Sequence, residues 1–294
     1  MAHESNRRPE LLMTGPYQPW DDAWLSTGYD VHRLWEAADR AACLAEHGAG
    51  VRAIATRGDL GADAALIAAL PKLEIIACYG VGTDAIDLGV GLTLALLRRI
   101  GAGDAYVRSG AWSDGDMPLV TRLYGKRVGI VGFGRIGSTL ARRLSGFDVE
   151  LGYFDVAPRD NSQHRFFGRL AELAGWCDVL IVTLAGGAST RHLVDAAVLD
   201  ALGPRGYLVN VSRGTTVDEP ALLDALERGA IAGAALDVFW NEPRIDPRFL
   251  ALPNVLLQPH HASGTVETRQ AMGWLVRDNL AAHFAGAPLL TPVV

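Results

Sequence analysis

The stretch R-V-G-I-V-G-F-G-R-I-G, Arg127 to Gly137, decides the fold of this 294-residue chain. Val128, Ile130 and Val131 suit a buried strand. Gly132, Gly134 and Gly137 then make G-x-G-x-x-G, and Ile136, Leu140 and Leu144 recur at every fourth position, as an amphipathic helix requires. In such a strand–turn–helix the first glycine bends the chain, the second admits a pyrophosphate close to the backbone, and the third lets helix and strand pack closely. Free amides at the helix start favour negative charge. Gly132, Gly134, Arg135, Ile136 and Gly137 are therefore expected to hold a dinucleotide.

Outward from this turn, Val149 to Phe154 reads as a second strand ending in Asp155, about twenty residues past the glycines, where an acid can grip a ribose 2′-hydroxyl. Such an acid repels a 2′-phosphate, so NAD is expected ahead of NADP. Arg159 lies near enough to offer that phosphate a partner, which keeps NADP possible. Asp178 to Leu184, Gly206 to Val211, Ala232 to Val238 and Val255 to Leu257 read as further strands, giving a sheet of about six. Asp218 to Glu227 reads as a helix, with Asp218 and Glu219 favouring the positive end of its dipole and Pro220 tolerated there.

Upstream, Glu10 to Thr14, Asp30 to Trp35, Val51 to Thr56 and Glu74 to Tyr79 look like four short buried strands alternating with Ala- and Leu-rich helices such as Ala37 to His47. The fold class expected is α/β: a Rossmann-type doubly wound parallel sheet plus a smaller flavodoxin-like parallel α/β domain. The smaller domain is assigned residues 1–90, completed by 265–294, and the nucleotide domain residues 91–264. The fourth strand runs into Y-G-V-G-T-D-A-I-D, where amides around Val81 and Gly82 could hold an anion beyond a strand's carboxyl end. Val90 to Arg99 is already an apolar helix, expected to continue towards Gly110, although a further parallel strand needs a crossover of about a dozen residues. Either this domain has four strands, or residues between about Asp84 and Val90 are absent.

Composition narrows the class. Hydrophobic residues make up 49% and charged residues 20%, as in a compact soluble protein, and a net charge of −6 gives no support for a nucleic-acid surface. Cys43, Cys78 and Cys177 show no metal or disulfide spacing, so buried free thiols, no metal and a reducing cytoplasm are expected. The N-terminal residues carry no signal-peptide core, and no run of about twenty apolar residues suggests a membrane span.

Three features sit at the ends of the later strands: N-V-S-R-G with Arg213, L-D-V-F-W-N-E-P with Asp237 and Glu242, and Q-P-H-H-A-S-G-T with His260 and His261. Hydride addition to a carbonyl needs a proton donor, and a histidine steadied by a carboxylate is suited to that. Arginine offers the forked geometry a substrate carboxylate requires. Asp237 could accept from a nicotinamide amide.

With Y-G-V-G-T-D-A-I-D, G-F-G-R-I-G, N-V-S-R-G, L-D-V-F-x-x-E-P and P-H-x-x-S-G-T-x-E-T-R in order, the chain resembles the D-isomer-specific 2-hydroxyacid dehydrogenases, nearest the glyoxylate/hydroxypyruvate reductase branch. The resemblance implies NAD(P), a small 2-keto or 2-hydroxy acid, and a homodimer through the nucleotide domain, with the helix before Trp112 as a candidate contact. It implies Arg213, Glu242 and His260 as catalytic residues, with Val211, Ser212 and Asp237 beside the cofactor and Val81, Gly82 and Arg213 on the substrate carboxylate. Domain closure would then exclude water. Family members usually carry a fifth strand in the smaller domain, which sharpens the suspicion that about two dozen residues are absent near Asp87. Two other readings share the scaffold: a nucleotide-sensing corepressor-like binding protein and a phosphite-type dehydrogenase. A formate-type enzyme is disfavoured because it usually pairs the histidine with glutamine.

Overall fold

A computed structural model of the chain describes residues 7–58, 60–80, 85–160 and 162–293. Contacts divide it into two units, residues 1–82 with 263–294, and residues 83–262.

The first unit opens with β1 (Glu10–Met13), α1 (Pro19–Gly28), β2 (Asp30–Arg33), α2 (Arg40–His47), β3 (Val51–Arg57), α3 (Ala64–Ala68) and β4 (Ile75–Tyr79). Its strands lie parallel in the order β2-β1-β3-β4, the flavodoxin-like order with no fifth strand among the described residues. Asp39 and Asp63 accept from the first free amides of α2 and α3, so each helix begins where a short acid can cap it. Leu12, Ile54, Leu66 and Leu70 fill one side of the sheet. On the other, Leu11, Met13, Leu25 and Tyr79 pack with Val276 and Leu280.

The second unit continues with α4 (Ala85–Arg98), α5 (Ile100–Arg108), β5 (Arg127–Val131), α6 (Arg135–Leu144), β6 (Glu150–Phe154), β7 (Arg165–Phe167), α7 (Leu170–Trp176) and β8 (Val179–Val182). It closes with α8 (Ala196–Leu202), β9 (Tyr207–Asn210), α9 (Glu219–Glu227), β10 (Gly233–Leu236) and β11 (Val255–Leu257). All pairs are parallel, in the order β11-β10-β9-β8-β5-β6-β7. This is the doubly wound arrangement, with the switch point between β5 and β8. The central strand β8 and the inner strand β10 are buried along their whole length, so their apolar residues run on without alternation. Leu92, Leu97, Leu140 and Leu144 cover one face; Leu173, Leu199, Leu222 and Phe249 cover the other.

Among the described residues the sheet has seven strands where about six were expected. The extra one, β7, is only R-F-F at the edge, too short for its periodicity to register. The apolar helix after the first unit is also two helices, because Arg99 adopts a left-handed backbone (φ 48°) that ends α4 before α5 begins. None of the three cysteines forms a disulfide, but only Cys177 is buried, where burial pushes its thiol up to about 12; Cys43 is half-buried and Cys78 exposed. Among the described residues no helix is long and apolar enough to cross a membrane, and no cluster of side chains could hold a metal.

The final helix, α10 (Val266–Phe284), belongs to the first unit. It is capped by Thr265 and crosses α1 at Gly273, where a side chain would run into the fully buried carboxylate of Asp21. The Tyr79 hydroxyl lies between Asp21 Oδ2 (3.4 Å) and the Arg269 carbonyl (2.5 Å), tying β4 to both helices. Gly273→Ala should therefore cost about 1–3 kcal/mol by overpacking. Thermal unfolding would show a clearly lowered Tm; an unchanged Tm would mean that this crossing is not tight.

Candidate active site

The glycine turn is built as a nucleotide cradle. Gly132 has φ 91°, a left-handed backbone, and a side chain there would strike Leu184; one at Gly137 would strike the Gly132 carbonyl. Gly134 differs: it faces open space and stands at the N-terminus of α6 with no side-chain cap. Uncapped amides beside room for a ligand fit a pyrophosphate, so the residues present suit the dinucleotide that the motif implies. Beside the turn lies a cavity of about 810 Å³, lined by Phe133, Gly134, Arg135, Ser138, Arg159 and His164 among others.

Asp155 stands at the end of β6. Its Oδ2 accepts from the Phe133 amide (3.0 Å) and from Arg159 (2.8 Å), and its Oδ1 accepts from the Val156 amide (2.7 Å). Burial works against its charge, but these donors outweigh burial and hold the carboxyl below its ordinary value. It is therefore an anion at neutral pH, braced against the turn.

The other expected groups converge at the carboxyl ends of three adjacent strands. After β9, Asn210 accepts from the Ser212 amide (3.0 Å) and hydroxyl (2.7 Å), and it donates to the Arg213 carbonyl (3.2 Å), which also accepts from Thr216 Oγ1 (2.6 Å). This buried knot fixes the turn from which Arg213 projects. Arg213 packs its stem over Gly186 and donates from Nη1 to the Ser212 carbonyl (2.7 Å). The side chains of Val211 and Ser212 are taken up inside, Val211 in the apolar core and Ser212 in the knot.

After β10, Asp237 is completely buried and accepts from the amides of His261 (2.7 Å) and Ala262 (3.0 Å). Burial raises its pKa, and the two amides work against that rise. Its visible task is to hold the backbone just past His260. Glu242 accepts from the Phe239 amide at Oε1 (2.7 Å) and faces Nδ1 of His260 from Oε2 (2.5 Å). Burial pushes the Glu242 carboxyl up, but the bonds from His260 and Phe239, aided by the charge of Arg213, bring it below its ordinary value. An ionised carboxylate only accepts, so Nδ1 of His260 carries the hydrogen of this contact and Nε2 is the atom left to exchange a proton.

His260, after β11, has φ 51° and keeps its ring half-exposed. Its hydrogen bond to Glu242 raises its pKa above 6.5; burial and the charge of Arg213 oppose the rise, while Glu242 and Asp237 add to it. Of the two adjacent histidines, His260 meets the carboxylate and His261 contributes its backbone amide. Val81 and Gly82 lie outside the described residues.

Two features the sequence reading did not bring out complete the site. A side chain on Gly214 would overlap the Phe239 backbone, so the Arg213 turn and the Glu242 segment touch main chain to main chain. Glu219, expected only to favour a helix dipole, instead turns its carboxylate to the Trp240 amide (2.9 Å). Gly214 stood in a quoted motif, but closeness to a segment 25 residues away leaves no local signal.

Uncapped amides at a glycine turn, an anion at the next strand end, and a histidine–carboxylate pair beside an arginine define a nucleotide-dependent oxidoreductase. The comparisons with known proteins narrow this. Residues 90–262 match the NAD-binding domain, and residues 12–90 the catalytic domain, of D-isomer-specific 2-hydroxyacid dehydrogenases. A hydroxyphenylpyruvate reductase from Plectranthus scutellarioides is 42% identical over 308 residues, covering 97% of this chain and 98% of its own. A solved 2-hydroxyacid dehydrogenase from Ketogulonicigenium vulgare superposes with a TM-score of 0.94 at 51% identity, over 98% of this chain and 99% of its own. An NADPH-dependent glyoxylate/hydroxypyruvate reductase from Sinorhizobium meliloti, solved with NADP and malonate, gives 0.91 at 40% identity, over 98% and 97%. The chain belongs to the D-isomer-specific 2-hydroxyacid dehydrogenase family and is an NAD(P)-dependent oxidoreductase. The Plectranthus alignment is longer than this whole chain, so it spans positions that this chain lacks.

Two outcomes follow from the geometry. In the protein without cofactor, the His260 ring should titrate above 6.5, and Glu242→Gln should move that midpoint down; an NMR titration showing no movement would separate the pair electrostatically. Gly214→Ala must push Phe239 away, and should lower stability by about 1–3 kcal/mol and bring the His260 midpoint down with it.

Proposed function

We propose that this protein reduces a small 2-keto acid of the glyoxylate or hydroxypyruvate type to the D-2-hydroxy acid, and runs the reverse reaction when product is in excess. The observation that carries the proposal is the His260–Glu242 pair set beside Arg213 in the nucleotide-binding unit. When bound, the nicotinamide supplies the hydride that reaches the carbonyl carbon. His260 gives the carbonyl oxygen its proton from Nε2, and Glu242 stabilises the imidazolium before the transfer and keeps the ring oriented after it. Arg213 holds the substrate carboxylate with a forked donor set. Val81 and Gly82, which lie outside the described residues, are assigned to the same carboxylate by the family resemblance. Gly132, Gly134, Arg135, Ile136 and Gly137 would hold the pyrophosphate and Asp155 the adenosine ribose, while Val211, Ser212 and Asp237, whose side chains are buried, would border the nicotinamide through their backbone.

The cofactor is proposed to be NADH ahead of NADPH, because Asp155 is a fixed anion where a 2′-phosphate would sit and Arg159 is already paired with it. The Sinorhizobium relative is NADPH-dependent, which makes this preference a sharp test. A homodimer is proposed through Val107, Trp112, Leu119 and Tyr124, large apolar side chains that stand in solvent in the single chain. A cytoplasmic location fits three cysteines that form no disulfide.

Initial rates with both reduced cofactors against glyoxylate, hydroxypyruvate, pyruvate and an aryl keto acid test the reading; binding of NADH with no turnover on any of them would favour a sensor instead. His260→Ala should lose about 10²–10⁴-fold in kcat. Reduction should require protonated His260. Its kcat/KM should therefore hold at low pH and fall as pH rises through a midpoint above 6.5, with oxidation showing the opposite limb. Asp155→Ala should shift the NADPH/NADH ratio of kcat/KM towards NADPH; no shift would remove Asp155 from cofactor choice.

A further inference from the structure

Glu219 is the first residue of α9 and only 7% exposed, an unusual place for a carboxylate. It does not cap its own helix, which Asp218 does by accepting from the Ala221 amide (3.3 Å). Glu219 Oε2 reaches across to accept from the Trp240 amide (2.9 Å). Trp240 is held at two more points. Its indole N–H donates to the Val217 carbonyl (2.8 Å), and its ring stacks on His192 with centroids 4.6 Å apart and planes 8° from parallel. Trp240 stands between Phe239, whose amide donates to Glu242 Oε1, and Glu242 itself.

We propose that Glu219 and Trp240 are positioning residues for the acid–base pair: they clamp the Phe239–Glu242 segment from behind so that Glu242 Oε2 meets Nδ1 of His260. The clamp rests on the functional reading above and adds two residues to it. Its logic is geometric. The segment crosses from β10 towards β11 as a loop, and a loop carrying a catalytic carboxylate needs fixing at a point other than that carboxylate. The Val217–Glu219 stretch supplies two acceptors, one backbone and one side chain, to the two N–H groups of a single residue. The same stretch begins three residues past Gly214, which touches Phe239, so one short segment sets both Arg213 and Glu242. Besides Glu242, the charged groups facing Glu219 are Asp246 and Arg248; those facing His260 are Glu242, Asp237 and Arg213.

The bond, rather than the charge, is what the clamp requires. Glu219→Gln keeps an oxygen that accepts the same N–H, whereas Glu219→Ala leaves that part-buried amide without this partner. The test uses two readouts on the full chain: the His260 midpoint by NMR without cofactor or substrate, and kcat and KM for keto-acid reduction. Glu219→Ala should bring the midpoint down towards 6.5 and cut kcat by about tenfold or more, with KM for the keto acid moving much less. Glu219→Gln should stay close to wild type on both. Should Glu219→Ala fail to fold, Trp240→Phe decides the question, since it removes the indole bond to Val217, leaves a smaller ring against His192 and keeps the backbone amide, and should move both readouts the same way by a smaller amount. Wild-type midpoints in Glu219→Ala or, failing that, Trp240→Phe would overturn the clamp, as would a Glu219→Gln variant as impaired as Glu219→Ala. The NMR readout needs no substrate, so a protein that reduces no keto acid would defeat the functional reading while leaving the clamp to be judged separately.

Discussion

The site depends on one close approach, the Gly214 backbone lying against that of Phe239. Strands β9, β10 and β11 are neighbours in a parallel sheet, so their carboxyl ends emerge side by side. That order delivers Arg213, then Asp237 and Glu242, then His260, to one edge of one unit. Parallel strands at ordinary spacing bring their following loops only roughly together. A residue with a side chain at position 214 would hold the first two loops apart by the width of that side chain. Glycine removes it, and the guanidinium then comes near enough to Glu242 and His260 for its charge to favour the carboxylate and disfavour the imidazolium. The histidine thus gains affinity for its proton from Glu242 and loses some to Arg213, a balance that suits the proton transfer proposed for it.

Two carboxylates serve His260 in different ways. Asp237 is fully buried and ties down the two amides immediately after the histidine, fixing a backbone that has turned left-handed at φ 51°. Holding a non-glycine residue in that region costs free energy, and Asp237 supplies two bonds that offset it. Glu242 instead binds the ring and sets which nitrogen carries which hydrogen. Backbone and side chain of one residue are thus oriented separately, from the same loop after β10.

Much of this was legible in the sequence because it is written locally. The glycine turn declares itself by spacing and by the apolar pattern on each side, and the strand ends by the polar motifs that interrupt long apolar runs. The four strands of the first unit were likewise readable, including the abrupt entry into an apolar helix that leaves the sheet at β2-β1-β3-β4. What escaped was relational. β7 is three residues that become a strand only by pairing with β6, and the break at Arg99 interrupts a composition that remains helical on both sides. The fates of the cysteines depended on which side of a strand or helix each one faced. Glu219 carried a sufficient local explanation at the start of a helix, and only the tertiary approach of Trp240 shows that its carboxylate serves another segment.

The nucleotide side follows the same division between local and relational information. Position alone suggests that Asp155 meets a ribose, but the carboxylate already accepts from the Phe133 amide inside the glycine turn, so it also helps shape the cradle. Arg159 does not stand ready as an independent phosphate ligand, because its guanidinium is paired with that same carboxylate four residues earlier. A 2′-phosphate would have to draw Arg159 away while facing the anion left behind. Much of the Arg159 side chain remains in solvent, which weakens the pair and makes its rearrangement inexpensive. The cost that remains is repulsion from an acid held in place by two backbone amides, and the cofactor preference proposed above rests on that acid rather than on the exposed arginine.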